Sequence, residues 1–416
     1  MLKDKGKPNL IGSYGPWAAD SAARWERTLS YLNPAWKDID RWREAGRAKV
    51  IELLGGPRIG PEVLQTVRVR RRYSFEDLEI EELAWQLPYG PETEAVFLKP
   101  GGSSGPLPGI LALHDHAAVK YFGKRKILRT SADLHPFIKE HQNLYYGGVP
   151  WANELARRGY GVLVHDVFPF ESRKIKAAEL PGHVVKRMMS APDDVQELTP
   201  EDLKNEYVVT DYEVEAREDS GQIDAYNTFG ARHEDIIAKS LFSAGYTWPG
   251  LFVAEDRAAL DVLCNRPDID DQRVGCGGLS LGGLRTDYLA GLDDRIRCSF
   301  TVGFMTTWND MILNNCYTHT WMLYIPLLSR YMDFPDVLGM HAPLPAMVLA
   351  TAEDPLFTTG EVERALESLK QVYAKAGSPQ TFSASIHPGP HQFNTAMQAQ
   401  AFKWLDRHLH FNPPDA

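Results

Sequence analysis

The feature that most narrows the choice of fold is a series of short, continuously apolar runs, each leading into polar residues. LPGILALHDH (107–116), YGVLVHDV (160–167), RVGCGGLS (273–280), RCSFTVG (297–303) and PAMVLATAED (345–354) do not alternate between apolar and polar positions. A strand with one wet face alternates, whereas one covered on both faces does not. Segments of helical period lie between these runs. GVPWANELARRGYG reads as a helix stopped by Gly159, and FVAEDRAALDVLCNR as another. In EVERALESLKQVYAKAG, Val362, Leu366, Leu369 and Tyr373 share one side and Gly377 supplies the stop. In the last helix Met397, Ala401, Leu405 and Leu409 recur every four residues. Strand and helix in regular alternation imply an α/β class with a mostly parallel central sheet and helices on both faces.

The flanks of this core read differently. From about Ser21 to Leu54 the pattern predicts a helix, with Trp25, Leu29 and Leu32 on one stripe and Gly55-Gly56-Pro57 at its end. Residues 1–60 are therefore expected to form a helical N-terminal arm, and 61–416 the main domain. VLQTVRVRRRYSF, LEIEELAWQL and TEAVFLKP are alternating runs separated by turn residues, including Pro88 and Gly90, and predict antiparallel strands at a sheet edge. The stretch of about 170–247 breaks the alternation. It is charged, has no buried-strand pattern, and leaves the sheet after HDV. It is expected to be an insertion near the active-site face that sets substrate preference without entering the bond-breaking chemistry.

Composition excludes several classes. Lys plus Arg (45) against Asp plus Glu (55) gives a formal charge of −10, without a basic stripe of the kind that tracks phosphates. Nucleic acid is not an expected partner. No run of eighteen apolar residues occurs and the first residues lack the apolar stretch of a signal peptide, so no membrane partner and a cytoplasmic location are expected. Cys264, Cys276, Cys298 and Cys316 show neither metal-ligand spacing nor disulfide density, and read as buried free thiols. Assembly with like copies is left open.

The chemistry is carried by Gly278-Leu279-Ser280-Leu281-Gly282, a predicted strand running into a helix. A serine on such a turn is pushed out at the sheet's carboxyl edge, and the flanking glycines let strand and helix approach closely. A serine nucleophile needs a base, and the base a carboxylate that fixes its tautomer. Glu353-Asp354-Pro355 follows the next long strand, and Asp354 is the candidate acid with Glu353 as runner-up. His391 follows the turn Pro388-Gly389-Pro390 and is the candidate base, with His387 as runner-up. The oxyanion that forms on attack needs donors. The backbone N–H of Leu281 and that of His116, in the loop after LPGILAL, are the candidates.

Two further readings follow from the residues. His114, Asp115, His116, His165 and Asp166 raise a metal site, since HxH on one loop and HD after another strand could converge. Side chains buttressing the oxyanion loop explain them without a metal, and no metal or other cofactor is expected. The segment Met305 to Tyr324 is rich in aromatics, and Trp308, Trp321 and Tyr324 are candidates for the walls of a substrate pocket; burial in the core or in a subunit contact is the alternative.

The ordered motifs LHDHAA, GYGVLVHDV, AEDRAALDVLCNRPDIDDQRVGCGGLSLGG, DDRIRCSFTVG, ATAEDPLF and PGPHQF together resemble the dienelactone-hydrolase and acetyl-xylan-esterase branch of the α/β-hydrolases. The likeness spans roughly residues 60 to 410. It implies an α/β-hydrolase fold, a triad of Ser280, Asp354 and His391, and N–H groups of His116 and Leu281 as the oxyanion hole. There are departures. Dienelactone-type relatives use cysteine where this chain has Ser280, Ala117-Ala118 stands where many have glycines, and DVFPFESRK replaces a glycine-rich turn. The expected activity is serine hydrolysis of a small-molecule carboxylic ester through an acyl-enzyme. Amide or carbon–carbon bond hydrolysis by the same triad is the alternative within enzymes, and a catalytically silent binding protein the alternative outside them.

Overall fold

The structure, a computed structural model, describes residues 9–189 and 218–409. Nine strands among them form one sheet: β1 (Arg68–Phe75), β2 (Leu78–Trp85), β3 (Thr93–Pro100), β4 (Leu107–Leu113), β5 (Gly161–His165), β6 (Ile269–Leu279), β7 (Ile296–Val302), β8 (Ala346–Thr351) and β9 (Phe382–His387). Their spatial order is β1-β2-β3-β5-β4-β6-β7-β8-β9. The pairs β1–β2, β2–β3 and β3–β5 are antiparallel, and every pair from β5–β4 to β8–β9 is parallel. The alternating runs thus became the antiparallel edge and the continuous runs the parallel centre.

The continuous runs are apolar throughout because each strand feeds two cores. Side chains point to opposite faces in turn. Leu111, Leu113 and Leu163 join one core with Trp42, Phe252, Leu284 and Leu369. Ile110, Ala112, Val162 and Val164 join the other with Trp151, Phe402 and Leu405. The first face is covered by the helices Ile39–Leu54, Trp248–Cys264, Leu281–Leu292 and Thr359–Lys375, and the second by Trp151–Arg157 and Thr395–His408.

The N-terminal region departs from the single helix expected over 21–54. A helix covers Gly15–Ala23, the chain then turns irregularly, and a second helix begins at Ile39. Long-range bonds hold the irregular stretch: Leu29 N–H donates to Tyr331 O at 3.0 Å, and the Trp42 indole donates to Leu29 O at 2.7 Å. Asp38 then caps the second helix by accepting from Asp40 N and Arg41 N. Trp25 is exposed, not part of a buried stripe; its ring lies under the Arg330 guanidinium.

Within 170–247 the described residues hold no strand, but they do hold a helix at Gly182–Met189 and a 24-residue helix at Ser220–Ser243. The tip of the expected insertion, about 190–205, lies outside the described residues. Ile223, Phe229 and Ile237 are buried, so the long helix is packed against the body of the protein. Among the described residues no helix is long and apolar enough to cross a membrane. Cys276 and Cys298 are buried, while Cys264 and Cys316 are half-buried; all four are free thiols.

Candidate active site

β6 ends at Leu279 and the helix Leu281–Leu292 starts two residues later, leaving Ser280 alone in the turn with φ 61° and ψ −118°. A side chain at positive φ is strained and must be held by its surroundings. Here the Ser280 N–H donates to Val302 O in β7 at 2.8 Å, and Ser280 O accepts from Leu284 N at 3.0 Å. The flanking glycines serve close approach: a Cβ at Gly278 or at Gly282 would lie 2.2 Å from the Leu113 carbonyl oxygen. As the first residue of its helix, Leu281 offers an N–H with no intrahelical acceptor.

Asp354 follows β8 and His391 follows β9, and the fold brings the two together. His391 Nδ1 lies 2.6 Å from Asp354 Oδ2. A carboxylate can only accept here, so Nδ1 carries a proton, and in the neutral ring Nε2 is then the acceptor. The other Asp354 oxygen accepts from Leu356 N at 2.9 Å, which fixes the carboxylate. Glu353 is turned away and meets the backbone of Gly389. The His387 ring is bound to Ser385 Oγ and Gln400 Oε1 at 3.1 and 3.0 Å, outside the cavity that Ser280 and His391 share.

That cavity has a volume of about 330 Å³. Its walls are apolar at Leu284, Phe304, Leu323, Leu356 and Phe357, with Thr318, His319 and Thr320 adding polar groups. The Tyr145 ring also lines it and stands edge-on to His391, 6.4 Å between centroids.

The fourth side is the loop after β4, residues Asp115 to Ala118. Ala117 and Ala118 have φ of 44° and 56°, the left-handed region that glycine would enter without strain. A set of buried ions holds them there. Lys126 is fully buried, and its ammonium donates to the carbonyls of Asp115, His116 and Val119. The Asp115 carboxylate accepts from His141 Nε2 at 3.2 Å and from the Tyr146 hydroxyl. Burial alone would raise the Asp115 carboxyl, but Lys126 and His141 outweigh it and hold it well below its ordinary range. His116 Nδ1 accepts from Ala118 N at 2.9 Å, and His116 Nε2 lies 2.9 Å from Glu234 Oε1. The backbone N–H of His116 has no acceptor among the described residues.

The metal reading meets a different arrangement. His114 Nδ1 lies 3.0 Å from Asp115 O, and His165 Nε2 lies 3.0 Å from Asp256 Oδ1. Asp166 takes Lys124 and Ser172. The side chains expected to converge thus point to separate partners, and no group of three or more His, Cys, Asp or Glu is poised to hold a metal among the described residues. Arg285, fully buried, pairs with Asp256 and donates to His114 O at 3.3 Å, tying the helix after Ser280 to the end of β4.

The three aromatic pocket candidates do not line the cavity. Trp308 is buried against Phe334, 4.0 Å between ring centroids. Trp321 is 38 % exposed and faces Phe242, and the Tyr324 hydroxyl donates to Cys316 O. The segment breaks into short turns at Met311–Asn315, Cys316–Thr318 and Trp321–Leu323, so no regular period decides which side chains face inward. It contributes Thr318, His319, Thr320 and Leu323 instead.

Fold and site geometry together define an α/β-hydrolase fold with a strand–serine–helix turn facing a histidine–carboxylate pair. No family model matches the sequence. Putative hydrolase YtaP of Bacillus subtilis (strain 168) is 23% identical over 369 residues, 88% of this chain and 100% of that protein. Among solved structures, the putative acetyl xylan esterase of Bacteroides fragilis NCTC 9343 superposes with a TM-score of 0.60 at 15% identity, over 93% of this chain and 84% of that one. A CE15 glucuronoyl esterase from Teredinibacter turnerae T7901 gives 0.56 at 13% identity, over 98% and 92%. The resemblance to the acetyl-xylan-esterase branch is thus met at the level of the fold.

Proposed function

We propose that the chain hydrolyses a carboxylic ester of a small molecule, with Ser280 as nucleophile, His391 as base and Asp354 as its orienting acid. The observation that carries this reading is the contact of 2.6 Å between His391 Nδ1 and Asp354 Oδ2, on the cavity that Ser280 and His391 both line. Ser280 Oγ attacks the ester carbonyl while His391 Nε2 takes the hydroxyl proton. The oxyanion of the tetrahedral intermediate is received by the N–H groups of His116 and Leu281. His391 then returns its proton to the leaving alcohol, and an acyl-Ser280 remains. Water, deprotonated by the same histidine, releases the acid. This route needs no cofactor. The names of the structural neighbours, acetyl xylan and glucuronoyl esterases, support an ester as the bond attacked. The cavity walls carry no lysine or arginine among the described residues, which favours an uncharged acyl group.

The test is covalent. A phosphonate ester should add one adduct to the intact mass, mapping to the peptide that contains Ser280, and Ser280→Ala should abolish both labelling and turnover of a short-chain activated ester. An adduct on another serine, or full turnover in Ser280→Ala, would refute the assignment.

A further inference from the structure

The long helix of the insertion, Ser220–Ser243, meets His116 of the loop after β4 through Glu234. Glu234 is buried, and its two oxygens serve different segments. Oε1 accepts from His116 Nε2 at 2.9 Å and from Lys120 Nζ at 2.5 Å. Oε2 accepts from Thr320 Oγ1 at 2.7 Å and from Trp321 N at 3.2 Å. One carboxylate therefore joins the loop after β4 to the segment that supplies Thr318, His319 and Thr320 to the cavity.

The consequence follows from the tautomer of His116. Its Nδ1 accepts the Ala118 N–H, so in the neutral ring the proton sits on Nε2, which points at the buried Glu234 carboxylate. Glu234 is its acceptor. Burial would by itself raise the Glu234 carboxyl, yet the His116 hydrogen bond and the charge of Lys120 prevail and keep it ionised. Burial and the neighbouring Lys120 push the His116 imidazole down, which keeps it neutral. A neutral ring with Nδ1 free to accept closes the two-residue turn over Ala117 and Ala118, whose left-handed backbone would otherwise relax. The His116 backbone N–H belongs to that same turn.

We propose that Glu234 is a positioning residue for the reaction: by accepting the Nε2 proton of His116 it holds the Ala117–Ala118 turn that presents the His116 N–H to the oxyanion. The proposal rests on the assignment of Ser280 as nucleophile. It also changes the part expected of the insertion, which enters the bond-breaking step as well as any choice of substrate.

Glu234→Ala leaves the buried Lys120 ammonium unpaired and is open to a folding defect, so two charge-neutral double variants carry the test. In Lys120→Met/Glu234→Gln the ion pair is gone but the amide oxygen can still accept from His116. In Lys120→Met/Glu234→Leu no side-chain acceptor for His116 Nε2 remains among the described residues. Turnover of a short-chain activated ester is normalised to the sites labelled by the phosphonate, so a loss of folded protein does not count. The Gln variant should keep kcat within about fivefold of the native chain. The Leu variant should fall at least about thirtyfold with KM changed by no more than about threefold, within the range seen when an oxyanion donor is lost. Equal normalised kcat in the two doubles, or an effect confined to KM, overturns the role of Glu234 while leaving Ser280 untouched. Absence of the phosphonate adduct from Ser280 in the native chain overturns both assignments.

Discussion

Two turns at the carboxyl edge of the sheet each hold side chains in a left-handed backbone, and they are held by different physics. The turn after β6 is fixed locally: Ser280 is followed at once by a helix, and Gly278 and Gly282 let the backbone touch Leu113. The turn after β4 is fixed from a distance, by Lys126, by the His116–Glu234 contact, and by His141 and Tyr146 on Asp115. The sequence signal of the first device lies in five consecutive residues, although Val302 and Leu113 complete it. A distant one is written in residues scattered from 115 to 234, each ordinary in its own neighbourhood.

The largest expected effect tests the proton path that the local turn depends on. His391→Ala should lower kcat by roughly a thousandfold, by analogy with other triads. His387→Ala, bound to Ser385 and Gln400 outside the cavity, should stay within about threefold. Steady-state rates on one activated ester decide it. The reverse ranking would move the base to His387 and remove the reason for the turn's geometry.

The next effect lies where the two turns touch. Gly282 sits in the first turn of a helix, where alanine would ordinarily stabilise by about 0.5–1 kcal/mol. Its Cβ would meet Leu113 O at 2.2 Å, and Leu113 is the last residue of β4. Overpacking of this kind costs about 1–3 kcal/mol, so the steric term wins. Gly282→Ala should lower Tm and reduce kcat by about tenfold or more as the two turns separate. A raised Tm with unchanged kcat would show that the close approach is not needed.

What could be read in advance follows the same division. The sheet was legible because Leu111, Leu113 and Leu163 serve one core while Ile110, Ala112 and Val162 serve the other, so each buried strand appears as an unbroken apolar run. β2 was legible because it alternates at its start, with Leu78 and Ile80 buried and Glu79 and Glu81 half-buried between them. The order of Ser280, Asp354 and His391 was legible because each follows its own strand. Glu234 was not: in FGARHEDIIAK it looks like any charged residue on an exposed helix, and its burial depends on where a helix from another part of the chain comes to rest. Lys126 was illegible for the same reason, since a lysine at no exposure is recognised only by the carbonyls it caps. Trp308, Trp321 and Tyr324 stand off the cavity because aromatic density does not decide which side chains face inward, and Leu323, Phe304 and Phe357 line its wall. The break in the N-terminal helix was hidden because Trp25, Leu29 and Leu32 do fall at helical spacing, while the contacts that bend the chain come from Tyr331 and Trp42.

The smallest effect sharpens the comparison most. An alanine held left-handed costs roughly 1–2 kcal/mol, and Ala118 stands at φ 56° in the turn after β4. Glycine would remove that strain but would also loosen the unfolded chain, offsetting it by about 0.4–1 kcal/mol. The net gain for Ala118→Gly is therefore on the order of 0.5 kcal/mol, a rise in Tm of about a degree for a chain of this size. Kinetically the two kinds of restraint part company. Were the turn held by the side chain of residue 118 itself, removing the methyl would free the His116 N–H and lower kcat steeply. With Lys126 and the His116–Glu234 contact gripping the backbone and ring of neighbouring residues, glycine at 118 should cost no more than about threefold in kcat. Thermal melting and single-substrate kinetics measure both quantities. A loss of tenfold or more with a raised Tm would mean that the Ala118 methyl fixes the turn and that the distant ions are spectators.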